Sequence, residues 1–125
     1  MSEKTEHIAI CNYIKLQYPN VIFFSDASGL YTKNWGQKME IKAKRSHGKL
    51  PDLFIAEPRG DYYHGLFLEI KKAGTRLYKR DKTFAKEHYK EQWDMLDKLR
   101  EKRYIAEFAI GFDNAKQVID EYLKK

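Results

Sequence analysis

The chain has 125 residues, of which 42% are hydrophobic and 14% aromatic, and its formal net charge is +6. This length and composition predict one folded domain, residues 1–125, rather than a disordered segment. No apolar run approaches the roughly 18 residues of a membrane-spanning helix, and no signal-peptide block is recognised, so no membrane partner is expected. The single cysteine, Cys11, excludes an internal disulfide and a cysteine-based zinc site, and it fits a cytoplasmic location.

The basic excess favours an anionic partner, although charge alone does not separate nucleic acid from other anions. Lysine and arginine residues concentrate in two stretches, one on each side of a central apolar segment. We expect these cations to contact the phosphates of a nucleic acid. They are Lys42, Lys44, Arg45, Lys72, Arg76, Lys79 and Arg80.

The first third of the chain predicts a helix and a strand. Apolar residues at helical spacing predict a helix over residues 3–18, and Pro19 ends it. Residues 21–24 are β-branched or aromatic without alternation, which predicts a strand buried on both faces, in the centre of a sheet. A surface excursion with a short helix at 37–45 follows, and its Tyr31 and Trp35 are candidates for substrate or partner contacts.

The central segment predicts a β-hairpin. Residues 53–56 and 66–70 are two short apolar strands, and residues 58–61 have the composition of a turn. Because successive side chains of a strand point to opposite faces, Glu69 and Lys71 are predicted to share a face with Phe67.

The remaining elements are two helices and a strand. A helix is predicted over residues 83–102, with Gln92 on the same side as its apolar stripe. A strand at 105–112 precedes a last helix that Asp113 or Asn114 would cap. The predicted order αβ(α)ββαβα indicates an α/β fold, a mixed sheet flanked by helices on both sides.

The hairpin would bring Asp52 close to Glu69 and Lys71, since its second strand folds back on the first. Two carboxylates at one site repel unless a cation or a proton lies between them. Mg²⁺ prefers such oxygen ligands, and a neighbouring lysine could orient water or stabilise charge during phosphodiester hydrolysis. An ordinary ion pair at a strand edge is the alternative interpretation.

These residues resemble a known nuclease signature. Pro51-Asp52 followed by Glu69-Ile70-Lys71 is similar to the motif of the PD-(D/E)xK nuclease superfamily. Glu6 on the first helix, Gly48 before the Pro-Asp pair and Gln92-Trp93 resemble its VRR-NUC branch, small nuclease domains found in phages and in some repair nucleases. One departure is Leu50, because Lys49 and Leu50 stand where branch members usually have one residue.

The resemblance implies a restriction-endonuclease-like core and a Mg²⁺-dependent endodeoxyribonuclease, with Mn²⁺ as a substitute. The implied metal ligands are Glu6, Asp52, Glu69 and the backbone carbonyl of Ile70. Lys71 would be the catalytic lysine, and Gln92 would hold Lys71 or the attacking water. The resemblance also implies branched or junction DNA as substrate, a homodimer, and the cytoplasm of a phage-infected or prophage-carrying bacterial cell.

Several alternatives stay open at this point. Glu6 could simply interact with the helix dipole. The chain could be a non-catalytic nucleic-acid-binding module, or an interaction protein with a basic surface, which would lack salt-dependent DNA affinity. The histidines, at positions 7, 47, 64 and 88, show no metal-ligand spacing and are interpreted as structural or exposed.

Overall fold

The computed structural model describes residues 2–26 and 34–124, so Tyr31 and residues 27–29 of the predicted loop lie outside it. Helices and strands in the described residues follow the predicted order. They are α1 (Glu3–Gln17), β1 (Phe23–Ser25), α2 (Trp35–Ala43), β2 (Leu53–Ile55), β3 (Leu66–Lys71), α3 (Glu87–Glu101), β4 (Ile105–Ile110) and α4 (Gly111–Leu123). No described helix combines the length and the apolarity that crossing a membrane requires.

The strands form a mixed four-stranded sheet in the order β1-β2-β3-β4. β2 pairs antiparallel with both β1 and β3, while β3 and β4 are parallel and are joined across α3. The predicted hairpin is confirmed, with Leu53 opposite Leu68 and Ile55 opposite Leu66.

The alternation of side chains along β3 assigns its two faces to different helices. Leu66, Leu68 and Ile70 pack in a core formed with α1 and α4. Phe67 packs in a second core with residues of α3. Helices therefore lie on both sides of the sheet, as predicted, and Glu69 and Lys71 belong to the face that α3 covers.

The predicted central position of the first strand is wrong. β1 lies at an edge of the sheet that the described residues form, and β2 is its strand partner there. Phe23 packs against the main core, whereas Phe24 is 65% exposed and Ile22 is also exposed. The apolar run misled the prediction because β1 has outward-facing apolar residues where an edge strand more often has polar ones.

The third helix begins later than predicted. α3 starts at Glu87 rather than at Thr83, because Phe84 forms a bridge with Tyr78. The rings of Tyr78 and Phe84 lie 5.0 Å apart, centroid to centroid. This pairing folds residues 78–84 into a tight turn, so α3 begins only after it.

The last helix begins earlier than predicted. β4 ends at Ile110, and α4 starts directly at Gly111, whose φ of +81° makes the sharp turn from strand to helix. Neither Asp113 nor Asn114 is the N-cap. Instead, Asn114 Oδ1 accepts a hydrogen bond from the Ile110 backbone N–H at 2.8 Å.

Helix α1 is fixed against α4 by a partly buried polar junction. The hydroxyls of Tyr13 and Tyr18 both donate to Asp120 Oδ1 at 2.6 Å. Ile10 and Ile14 pack on the same side, in the main core. These contacts set the rotation of α1 about its axis, and that rotation decides which residues of its first turns face the sheet.

Candidate active site

The open end of the hairpin brings three ionisable side chains together inside the protein. Continuing the β2–β3 register by one residue beyond Leu53 and Leu68 places Asp52 opposite Glu69. Asp52, Glu69 and Lys71 are 4%, 4% and 7% exposed. The predicted association of these three residues in one region is therefore present. Burying charged groups is costly unless partners compensate them.

Both oxygens of Asp52 have partners. Oδ2 accepts a hydrogen bond from the Ile70 backbone N–H at 2.9 Å, which ties β2 to β3 next to the predicted ExK motif. Oδ1 accepts from Lys49 Nζ at 2.9 Å. His7 Nε2 lies 3.7 Å from Oδ2. Asp52 is thus the point where α1, the loop before β2 and strand β3 meet.

Glu69 sits between α3 and the rest of the site. Gln92 Nε2 donates to Glu69 Oε1 at 2.9 Å, and Lys71 Nζ lies 3.9 Å from the same oxygen. Burial, and after it the charge of Asp52, raises the pKa of Glu69 well above its usual range. The two carboxylates are therefore under-compensated, and the site favours an added proton or cation.

Lys71 is held beneath helix α3. Its Nζ lies 4.8 Å from the ring centroid of Tyr89, within range of a cation–π interaction. With Glu69 on one side and the aromatic face on the other, the ammonium has a fixed position. Gln92 also presents its Oε1 here, a buried atom without a hydrogen-bond partner in the described chain.

Glu6 is buried, but it contacts the backbone rather than the other predicted ligands. Its two carboxylate oxygens accept from the Ala73 backbone N–H at 3.0 and 3.3 Å. This contact fixes the chain just after β3. The role of Glu6 as a metal ligand stays a prediction.

Two other residues of α1, Glu3 and His7, lie beside Asp52. Glu3, His7 and Asp52 each have a possible ligand atom within 4.8 Å of the others. His7 is 4% exposed, and neither of its ring nitrogens has a hydrogen-bond partner in the described residues. Sequence reasoning missed both residues. The signal was their spacing of one helical turn, which places Glu3 and His7 on one side of α1.

A cleft of about 460 Å³ opens over Glu69 and Gln92, between α3 and the loop that precedes β2. Lys49 and Lys98 contribute cations to its walls, and Glu91 and Asp94 contribute acids. Burial, followed by the charges of Lys71 and Lys86, lowers the pKa of His88, another residue of this cleft. The neutral form of the His88 imidazole is therefore favoured.

The predicted phosphate-binding cations lie on two segments, one before Gly48 in the sequence and one directly after β3. Lys44 pairs with Glu40 at 3.3 Å, and Arg45 lies 3.5 Å from Asp26. Lys42 is exposed on α2, and the rest of the predicted set is exposed on the loop that follows β3, at Lys72, Arg76, Lys79 and Arg80. Among the residues described, none of this predicted set lines the cleft itself. Trp35, predicted as a contact residue, is largely exposed on α2.

Comparison with known proteins adds a structural relative. No protein-family model matches the chain, and no curated protein matches its sequence. The fold matches the solved structure of a VRR_NUC domain protein with a TM-score of 0.71 and 26% sequence identity, covering 99% of this chain and 89% of that one. The predicted resemblance to VRR-NUC domains is confirmed, and the mixed sheet flanked by helices fits the predicted restriction-endonuclease-like core.

Proposed function

We propose, from this likeness to a nuclease-type family, that the chain hydrolyses phosphodiester bonds in DNA with the help of a divalent cation. The observation that carries the proposal is the buried group at the end of the hairpin. Asp52 and Glu69 stay close despite the rise in the pKa of Glu69, and neither ring nitrogen of His7, beside Asp52, has a hydrogen-bond partner among the described residues. Stability alone gives no reason to keep such a group, because buried uncompensated polar atoms cost free energy.

The residues present fit a divalent cation. Asp52 and Glu69 supply the carboxylate oxygens that Mg²⁺ and Mn²⁺ prefer, and Glu3 and His7 of α1 offer possible ligand atoms within 4.8 Å of Asp52. Glu6 and the Ile70 carbonyl remain the further ligands that the family resemblance implies. When bound, the cation would polarise a phosphoryl oxygen and make water more acidic.

The protein's own groups complete the chemistry. Lys71, fixed between Glu69 and the face of Tyr89, places a positive charge where negative charge develops on the phosphate. Gln92 Nε2 orients Glu69, and its buried Oε1 is an acceptor for the hydrogen of an attacking water. Glu69 and Lys71 lie on β3, and Tyr89 and Gln92 lie on α3. These rigid elements hold the four side chains in a constant arrangement.

DNA is the proposed substrate because exposed cations lie on the two chain segments that adjoin residues of the site in sequence. The proposal has four further parts. The substrate is branched or junction DNA, the chain acts as a homodimer, residues 1–125 form one domain, and the setting is the cytoplasm of a phage-infected or prophage-carrying cell. The single domain rests on the length and composition of the chain, and the other points rest on the resemblance to the VRR-NUC branch.

Cleavage of linear, flap and four-way-junction DNA tests the proposal, with Mg²⁺, Mn²⁺ or a chelator. Asp52→Asn and Lys71→Met should each lower the rate by about a hundredfold or more, as loss of an essential charge does. Asp97→Asn and Lys90→Met change exposed charges of α3 and serve as matched controls with unchanged rates.

Two outcomes would contradict the proposal. Metal-dependent cutting that survives both Asp52→Asn and Lys71→Met would refute the site. Salt-dependent DNA binding without cutting in either metal would favour the non-catalytic binding module instead.

A further inference from the structure

Lys49 occupies a position that neither the nuclease motif nor the family resemblance assigns. Its Nζ lies 2.9 Å from Asp52 Oδ1, while the Ile70 N–H takes the other oxygen of that carboxylate. Lys49 belongs to the loop before β2, just after Gly48, at the point where this sequence has one residue more than branch members usually have. It also lines the wall of the cleft.

The two lysines of the site differ in how firmly they are held. The Lys71 side chain is 9% exposed and is enclosed by Glu69 and Tyr89. The Lys49 side chain is 33% exposed and leaves from a loop, and its hydrogen-bond partner is Asp52. Rotating Lys49 into the cleft breaks its ion pair with the buried Asp52 carboxylate, a loss that another cation at Asp52 would offset. Lys71 has no comparable route.

The Asp52 oxygen that Lys49 contacts is the one that the Ile70 N–H leaves free. A divalent ion that binds at Oδ1 would therefore compete with the Lys49 ammonium. A divalent ion attracts the paired carboxylates about twice as strongly as a monovalent ammonium at equal distance, and it repels the ammonium. Binding of the metal therefore expels Lys49 toward the cleft.

We propose that Lys49 is a displaceable counter-ion that couples metal binding to DNA binding. Without metal it neutralises Asp52. When the metal takes Oδ1, the freed ammonium contacts a phosphate of the DNA strand in the cleft. This inference rests on the proposed metal-dependent nuclease, and it makes Lys49 a positioning and substrate-binding residue.

Metal binding without DNA tests the first half. Mn²⁺ is titrated calorimetrically into the full chain and into Lys49→Met, Lys49→Arg and Lys90→Met, the last removing an exposed pair with Asp94. Lys49→Met should bind Mn²⁺ roughly five- to tenfold more tightly, because the competitor is gone. Lys49→Arg should bind more weakly than wild type, since a guanidinium can grip the carboxylate with two donors, and Lys90→Met should not change.

These outcomes separate a displaceable counter-ion from a merely structural lysine. A structural lysine would leave the site disordered when removed, so Lys49→Met would bind Mn²⁺ equally or more weakly, and that result overturns the inference. Lys49→Arg keeps the charge, and its affinity for Mn²⁺ is expected to fall rather than rise. This variant therefore tests the inference even where Lys49→Met fails to fold.

DNA binding tests the second half, in a Lys71→Met background that suppresses cutting. With Mn²⁺, adding Lys49→Met should reduce the slope of log affinity against log salt by about 0.7–0.9, the value of one phosphate contact. With a chelator the slope should not change, because Lys49 then stays on Asp52. An equal change with and without Mn²⁺, or no change in either, refutes the coupling.

The failure of this inference can be told apart from failure of the proposed function. A wild-type chain that binds no Mn²⁺ overturns both. A wild-type chain that binds Mn²⁺ and cuts DNA, while Lys49→Met binds the metal no more tightly, overturns the role of Lys49 alone.

Discussion

Replacing Glu69 by glutamine should make the metal-free protein more stable at neutral pH. Glutamine has nearly the shape of a protonated glutamate and can still accept from Gln92 Nε2. Burial, and then the charge of Asp52, raises the pKa of Glu69 in the folded protein above its value in the unfolded chain. The folded state therefore holds a proton that the unfolded state releases, so wild-type stability is highest below the unfolded pKa and falls as pH rises toward the folded one.

The size of this pH dependence is set by the one proton that the folded state binds and the unfolded state releases. Over the interval between the unfolded and folded pKa values, the free energy of unfolding of wild type should fall by up to about 1.4 kcal/mol per pH unit relative to Glu69→Gln. Because the charge of Asp52 is the second cause of the raised pKa of Glu69, Asp52→Asn should also flatten the wild-type profile.

Urea unfolding in a chelator, followed by circular dichroism from about pH 5 to about pH 8, measures this difference. Glu91→Gln removes an exposed carboxylate from the cleft rim and is the matched control, with a profile parallel to wild type. Adding Mn²⁺ at about 100 times its Kd should stabilise wild type by about 2.7 kcal/mol and Glu69→Gln by less. Parallel pH profiles for wild type and Glu69→Gln would refute the reasoning.

Further substitutions probe the ligands and the backbone. Glu3→Gln and His7→Gln should each weaken Mn²⁺ binding by about tenfold, as loss of one contributing group does. Glu6→Gln should weaken it less, because the Glu6 carboxylate accepts from the Ala73 N–H. A larger calorimetric loss for Glu6→Gln than for the other two variants would contradict the assignment. His7→Gln should also narrow the preference for Mn²⁺ over Mg²⁺ in titrations, because imidazole suits transition metals; an unchanged ratio would exclude His7 as a ligand. Gly65→Ala should lower the free energy of unfolding, measured in urea, by about 1–3 kcal/mol, since the added Cβ would lie 2.8 Å from the Ile55 carbonyl oxygen. A smaller decrease would mean that the backbone of the hairpin shifts to make room for the methyl group.

The hairpin and the residues on it were accessible from the sequence because their signals are local. Alternation along residues 66–71 separated Leu68 from Glu69, and the turn composition at 58–61 folded one strand back on the other. Continuing the register of the hairpin then places Asp52 opposite Glu69, and this step needs no information from distant segments. The same local logic failed for Phe24, because an apolar run does not say whether a strand has one neighbour or two.

The contribution of α1 could not be predicted in this way. Each residue of a helix turns by about 100°, so Glu6 and His7 point in clearly different directions although they are adjacent. The rotation of α1 is set by the packing of Ile10 and Ile14 and by the bonds of its tyrosines to Asp120, contacts with distant parts of the chain. That rotation directs Glu6 to the Ala73 backbone and His7 to Asp52.

By itself, the sequence determined the order of elements, the hairpin and the pairing of Asp52 with Glu69 and Lys71, since these depend on periodicity and on near neighbours. Tertiary structure alone decided which further side chains lie beside Asp52. Glu3 and His7 arrive through the orientation of a helix, and Lys49 through the path of a loop. Such arrangements result from packing across the whole fold, which no short stretch of residues encodes.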